Sequence, residues 1–172
     1  VFKEPIKLSA LVTGEGKAVK IENAMVQSAF CTVNCSGSLD KLHYAVGANL
    51  AQTLRFAGQF ADMQGLGMEG DLSLEGDIAL AEDRIALNGN GKIAKLIAQK
   101  GDLRTPVTDV QMDFDCAVDK VANQLKLASA NLTATPGTVK VANVVLPMGD
   151  EGSKTISVDA QAKLDLAKTW AF

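Results

Sequence analysis

The stretch LGMEGDLSLEGDIAL, Leu66 to Leu80, decides how the rest of the chain reads. Its even positions are Leu66, Met68, Gly70, Leu72, Leu74, Gly76, Ile78 and Leu80. Its odd positions are Gly67, Glu69, Asp71, Ser73, Glu75, Asp77 and Ala79. Side chains on a β-strand alternate between two faces, so one face here is apolar and the other acidic. That is the pattern of an antiparallel strand with one wet side. At about 3.3 Å per residue the strand reaches about 50 Å, longer than most strands. Gly70 and Gly76 are the expected places for a bend or bulge.

The same alternation recurs on both sides. VQMDFDCAVD sets Val110, Met112, Phe114, Cys116 and Val118 against Gln111, Asp113, Asp115 and Asp119, with Asp109 just ahead on the acidic side. ISVDAQAKLDL sets Ile156, Val158, Ala160, Ala162, Leu164 and Leu166 against Ser157, Asp159, Gln161, Lys163 and Asp165. Shorter strands are expected over 6–13, 18–23, 29–35, 39–47, 84–96, 124–134 and 139–146. Turn signals fall at Gly14, Ala81, Asn88 (NGNG), Asp119 (DKVANQ), Pro136 and Met148. IAKLIAQ (93–99) reads equally as strand or short helix. One segment has helical spacing: Leu50, Leu54, Ala57 and Ala61 share a face, after Asn49 as N-cap. The fold class expected is mainly β: a long antiparallel amphipathic sheet, curled or folded into a groove or sandwich, with one or two short helices.

The 172 residues carry 47% hydrophobic residues and a net charge of -3. Such a chain has enough apolar matter to fold, and no basic surface to attract nucleic acid. No apolar run approaches the roughly 20 residues of a membrane helix. Cys31 and Cys35 sit four apart on one strand, about 13 Å at ~3.3 Å per residue and too far for a disulfide. Pairing of either with Cys116 stays open. A catalytic set is not found around His43, the single histidine. Asp109, Asp113, Asp115 and Asp119 alternate along a strand and lack the loop spacing of a calcium site. NGNGK at Asn88 lacks the ending of a phosphate loop. No cofactor, metal site or catalytic residue is expected.

Three pairs of segments resemble one another. NLAQT at Asn49 matches DLAKT at Asp165, VKIENAMV at Val19 matches VKVANVVL at Val139, and KLSALVTGEG at Lys7 matches KLASANLTATPG at Lys126. The expected organisation is a repeated unit: a first copy over about residues 1–120 and a partial second over about 121–172, cut from a longer protein. Trp170 and Phe172 are then anchors of a truncated second helix.

YAVGANLAQTLRFAGQF from Tyr44, LGMEGDLSLEGDIAL from Leu66 and VDAQAKLDLAKTWAF from Val158 together resemble the AsmA-like family of bacterial envelope proteins, which includes AsmA and TamB. The resemblance lies in long glycine-punctuated strands and an (N/D)L step into a helix. It implies an internal periplasmic segment, with any inner-membrane anchor outside this chain. It also implies a part in outer-membrane biogenesis or lipid transfer, with phospholipid acyl chains and envelope proteins as partners. The residues expected to line an apolar groove are Leu72, Leu74, Ile78, Met112, Phe114, Val118, Val158 and Leu164. The alternative is a structural or adhesive β-sandwich from a repetitive surface protein, closed on its own core.

Overall fold

The computed structural model describes residues 5–15, 18–148 and 157–165. Eleven strands form one antiparallel sheet. They are β1 (Lys7–Glu15), β2 (Ala18–Gln27), β3 (Cys31–Ser38), β4 (Lys41–Asn49), β5 (Leu66–Leu80), β6 (Arg84–Lys100), β7 (Leu103–Arg104), β8 (Thr108–Asp119), β9 (Gln124–Ala134), β10 (Gly137–Pro147) and β11 (Ser157–Leu164). The order across the sheet is the chain order, except that the two-residue β7 folds back on the end of β6. The sheet is not closed, because β1 and β11 each have one partner. Among the described residues there is no second sheet.

Why a meander follows from the sequence. Most of the described apolar runs are bounded by a short polar turn, and short turns force neighbouring strands to pair antiparallel, while residues 50–65 between β4 and β5 carry the helix. Ala81 closes one such turn through its N–H to Arg84 O at 2.8 Å. In the 119–124 turn, Asp119 Oδ1 accepts the Ala122 N–H, and Asn123 takes the left-handed conformation that asparagine tolerates. The register then aligns like with like. Leu72, Leu74 and Ile78 of β5 face Ala48, Val46 and Leu42 of β4 on one side, and Ile93, Gly91 and Leu87 of β6 on the other.

Two expectations about irregularity separate here. Gly70 has φ 130 and sits at a register shift between Glu69 and Asp71, so the expected bulge is present. Across from it β6 shifts register between Ile93 and Leu96, where Lys95 has φ 54. Gly76, by contrast, lies in unbroken pairing with Tyr44 and Gly89. Its role is space, as shown below. NGNG at Asn88 is not a turn: all four residues lie inside β6, paired to both neighbours. The alternation of the flanking residues carries the strand through, and each glycine there meets a large neighbouring side chain. IAKLIAQ is strand.

The helix α1 (Leu50–Ala57) begins where β4 ends. Asn49 Oδ1 accepts the Gln52 N–H at 3.0 Å, and Asn49 Nδ2 donates to Asp71 Oδ1 at 3.0 Å, so one side chain both caps the helix and ties it to β5. The helix stops at Ala57, short of the expected Ala61. Gly58 follows as C-cap, and residues 58–60 turn back on the last carbonyls. The second helix expected after Asp165 lies outside the described residues, as do Trp170 and Phe172.

The two polar joints share geometry. Asn49 N–H donates to Phe30 O, just ahead of β3, and Asp165 N–H donates to Pro136 O, just ahead of β10. Hairpin β1–β2 likewise corresponds to hairpin β9–β10 in the matched segments. Two strands, however, separate β2 from the first joint, whereas one separates β10 from the second.

Candidate functional site

Following the register across the sheet gives rows of residues that share a face. One row runs Ala10, Ala24, Cys35, Tyr44, Gly76, Gly89, Phe114, Ala130, Val141, Ala160. The next runs Val33, Val46, Leu74, Gly91, Met112, Leu132, Val139, Ala162. The apolar faces of ten strands are thus one continuous surface.

All the residues expected to line a groove lie on this face. Leu72, Leu74, Ile78, Met112, Phe114 and Val118 are half-buried on β5 and β8, with β6 between them. Val158 and Leu164 lie on the edge strand β11 and are exposed, at 51% and 58%. The face is thinly covered. The only well-buried hydrophobic residues among those described are Tyr44, Val110, Ala117 and Val144, and none is fully buried. The total accessible surface is 12005 Å². A compact protein of this size exposes roughly 8,000 Å². A single-layer sheet is extended and leaves both of its faces accessible, which accords with such an excess.

The middle of the face is built around two aromatic rings and two glycines. Tyr44 is 7% exposed and its hydroxyl donates to Asn88 O at 3.1 Å. Its ring reaches over Gly76 and Gly89, and a Cβ built on Gly89 would lie 2.5 Å from the Tyr44 oxygen and 2.9 Å from Phe114 Cζ. The rings substitute for the side chains the glycines lack. Burial pushes the Tyr44 phenol above its usual value, helped by the nearby Cys116 and Asp77, and burial likewise pushes the Cys116 thiol up. Sequence reasoning singled out Phe114 but missed Tyr44. Its place in period two with Leu42 and Val46 was the available signal.

At one end of the face α1 gives partial cover. Phe30 and Phe56 stack at 4.5 Å between centroids, and Phe60 meets Phe56 edge-on at 5.2 Å. Leu54 of α1 shares with Leu66, Met68, Ala98 and Leu103 a largely hydrocarbon hollow of about 640 Å³. A smaller one, about 280 Å³, lies over Leu8, Ala10, Ala24, Val26 and Val33. A depression of about 710 Å³ lies on the opposite side, where polar residues of β3 to β9 such as Asn34, Ser73, Glu75, Asn90, Gln111 and Thr133 border it.

The polar face is a solvated charge lattice. His43 Nδ1 and Asp77 Oδ1 lie 3.2 Å apart, Lys92 and Asp109 2.9 Å, Lys126 and Asp119 2.9 Å, and Asn131 Nδ2 donates to Asp113 at 2.6 Å. Among the described residues no cluster of three or more metal-ligating side chains forms. The cysteines are free. Cys31 and Cys35 on β3 are four strand spacings from Cys116 on β8, about 19 Å at ~4.8 Å each, which rules out the pairing left open above.

Three carboxylates titrate below their usual range, one of them Glu22 through its bonds from Lys20 and Thr13. Asp109 is held down by its bond from Lys92 and then by the Lys95 N–H; Asp119 by the Ala122 N–H and then by Lys126. A depressed folded value stabilises the fold above the unfolded carboxylate range, about pH 4, and that contribution is lost as pH falls through the folded values. Urea midpoints are therefore expected to drop between about pH 5 and about pH 2, with a shallower drop for Asp119→Asn. An Asp119→Asn profile parallel to the parent's would remove Asp119 from this account.

No family model, curated protein or solved structure matches the chain. No helix among the described residues is long and apolar enough to cross a membrane.

Proposed function

We propose that this chain is a non-enzymatic, periplasmic segment of an AsmA-like envelope protein, and that its apolar face takes up phospholipid acyl chains during outer-membrane biogenesis or lipid transfer. One observation carries the reading: an apolar surface ten strands wide, with only an eight-residue helix among the described residues to cover one end of it. An exposed apolar patch of that extent marks an interaction surface. Acyl chains suit it chemically. The face offers hydrocarbon contact and few directional groups, and away from the two central rings its middle row is Ala10, Ala24, Ala130 and Ala160, small side chains that let a methylene chain approach the backbone closely.

The test is binding of a fluorescent fatty-acid probe to the chain in solution. Emission should rise on mixing. Leu74→Asp, which puts a charge in the middle of the apolar face, should weaken binding about tenfold or more. Ser73→Asp, one residue away on the wet face, should leave it unchanged. Absence of binding, or equal loss in both variants, contradicts the proposal.

A further inference from the structure

A lysine stands in an apolar row. Leu66 pairs with Lys100 across β5 and β6, and Lys100 pairs with Leu103 across β6 and β7. Residues directly opposite each other in an antiparallel ladder share a face. Lys100 therefore sits between two leucines, on the same side as the Met68–Ala98 pair two residues along. The hairpin fixes this placement. Gly101, with φ 58, and Asp102 close a tight turn, and the Gly101 N–H donates to Gly65 O at 2.8 Å. Thr105 N–H donates to Ala98 O, and Ala98 N–H donates to Thr105 Oγ1, each at 2.8 Å.

Lys100 lines the same hollow of about 640 Å³ as Leu54, Leu66, Met68, Ala98 and Leu103. Two other charged side chains border it. Arg104 is already balanced by Glu69 at 3.3 Å, and Asp102 in the turn makes no ion pair. Among the described residues Lys100 also makes no ion pair and no side-chain hydrogen bond. A lysine lays its hydrocarbon stem along apolar neighbours and keeps its ammonium at the water boundary. The hollow thus has hydrocarbon walls and one uncommitted cation at its mouth. From that mouth Leu66, Met68, Leu72 and Leu74 lead along one side of β5 to the middle of the apolar face.

We propose that this hollow is the head-group end of the acyl-chain site, and that it selects amphiphiles with an anionic carboxylate or phosphate head, held at Lys100 with the tail running along β5. The proposal rests on the reading that the apolar face takes acyl chains; it adds a direction to the bound chain and a charge preference to the site. A lysine ammonium is a compact charge that meets either head.

Isothermal titration of the chain with laurate, dodecyl phosphate and dodecyltrimethylammonium, each below its micelle concentration, tests this. The tails are alike and the heads differ in charge. At least one anionic amphiphile should bind about fivefold more tightly than the cationic one. An advantage for laurate alone or for dodecyl phosphate alone supports the site and says which head it takes. Lys100→Gln should remove the advantage, and Lys100→Arg should keep it. Lys92→Gln, the same loss of charge on the wet face, should leave it unchanged. Equal affinities for the three heads overturn the proposal. So do tighter binding of the cation, an advantage that survives Lys100→Gln, or one that Lys92→Gln removes equally. In each of those cases weaker binding of all three by Leu74→Asp would still uphold the acyl-chain reading, so the two fail separately. No binding of any of the three by the parent contradicts both.

Discussion

Gly76→Ala is expected to destabilise the fold by about 3 kcal/mol or more, although alanine is an ordinary strand residue. The reason is room. A Cβ at Gly76 would collide with the carbonyl oxygen of Asn88, would stand 2.7 Å from the Gly89 Cα and would stand 2.8 Å from the Tyr44 oxygen. Two of those atoms are backbone of the neighbouring strand and cannot rotate away. Relief requires β5 and β6 to separate at their longest stretch of unbroken pairing, or Tyr44 to leave its site. With about 5–15 kcal/mol of total stability in an ordinary domain, such a loss is a large share. It should lower the melting temperature by about 6–12 °C. Gly47→Ala is the internal control. It sits on the adjacent strand with nothing within 4 Å of its would-be Cβ. Removing that glycine should be neutral or gain about 0.5–1 kcal/mol, since glycine costs entropy in a strand. Thermal melts of the two variants check the contrast. Equal losses would mean that close packing at Gly76 is not what holds the centre.

Tyr44→Ala is expected to cost about 3–5 kcal/mol, the range for deleting a large buried ring. Tyr44 is one of the few well-buried side chains, and its ring is the cover for both central glycines. Its deletion exposes the backbone of two strands as well as the cavity. Tyr44→Phe should cost about 1 kcal/mol, for the single bond to Asn88 O. The phenol adds a pH signature. Its folded value is raised by burial, so its contribution is fully present below the unfolded value, about pH 10, and is lost as pH rises through the folded one. Tyr44→Phe should lose that alkaline fall. Denaturant melts at neutral and alkaline pH separate the ring from the hydroxyl.

These sites also show what was legible in the sequence. Period two placed β5 and β9 at their observed ends, because both are bounded by turn residues and alternate throughout. It placed all eight groove candidates on one face, since strand geometry allows no other outcome once the alternation is right. Local composition misled at NGNG. Asparagine and glycine usually mark turns, but here Gly89 and Gly91 lie where Tyr44, Phe114 and Leu74 need space, a demand that comes from strands far away in the chain. The same holds for Tyr44, whose value depends on glycines 32 and 45 residues downstream. The internal matches were visible as segments. Whether the apolar side is covered depends on the presence of a second layer, which alternation within a strand does not reveal.

The central claim is that the face of Leu74 and Phe114 holds acyl chains while the opposite face stays wet. Site-specific photocrosslinking in the native envelope tests it most directly, with a photoreactive residue placed in turn at Leu74, Ser73, Phe114 and Asp113 of the full-length protein. Each pair is one residue apart on the same strand and points to opposite faces. Lipid adducts at Leu74 and Phe114, with none at Ser73 and Asp113, are the expected result. Adducts at none of the four, or equally at all four, would contradict the account.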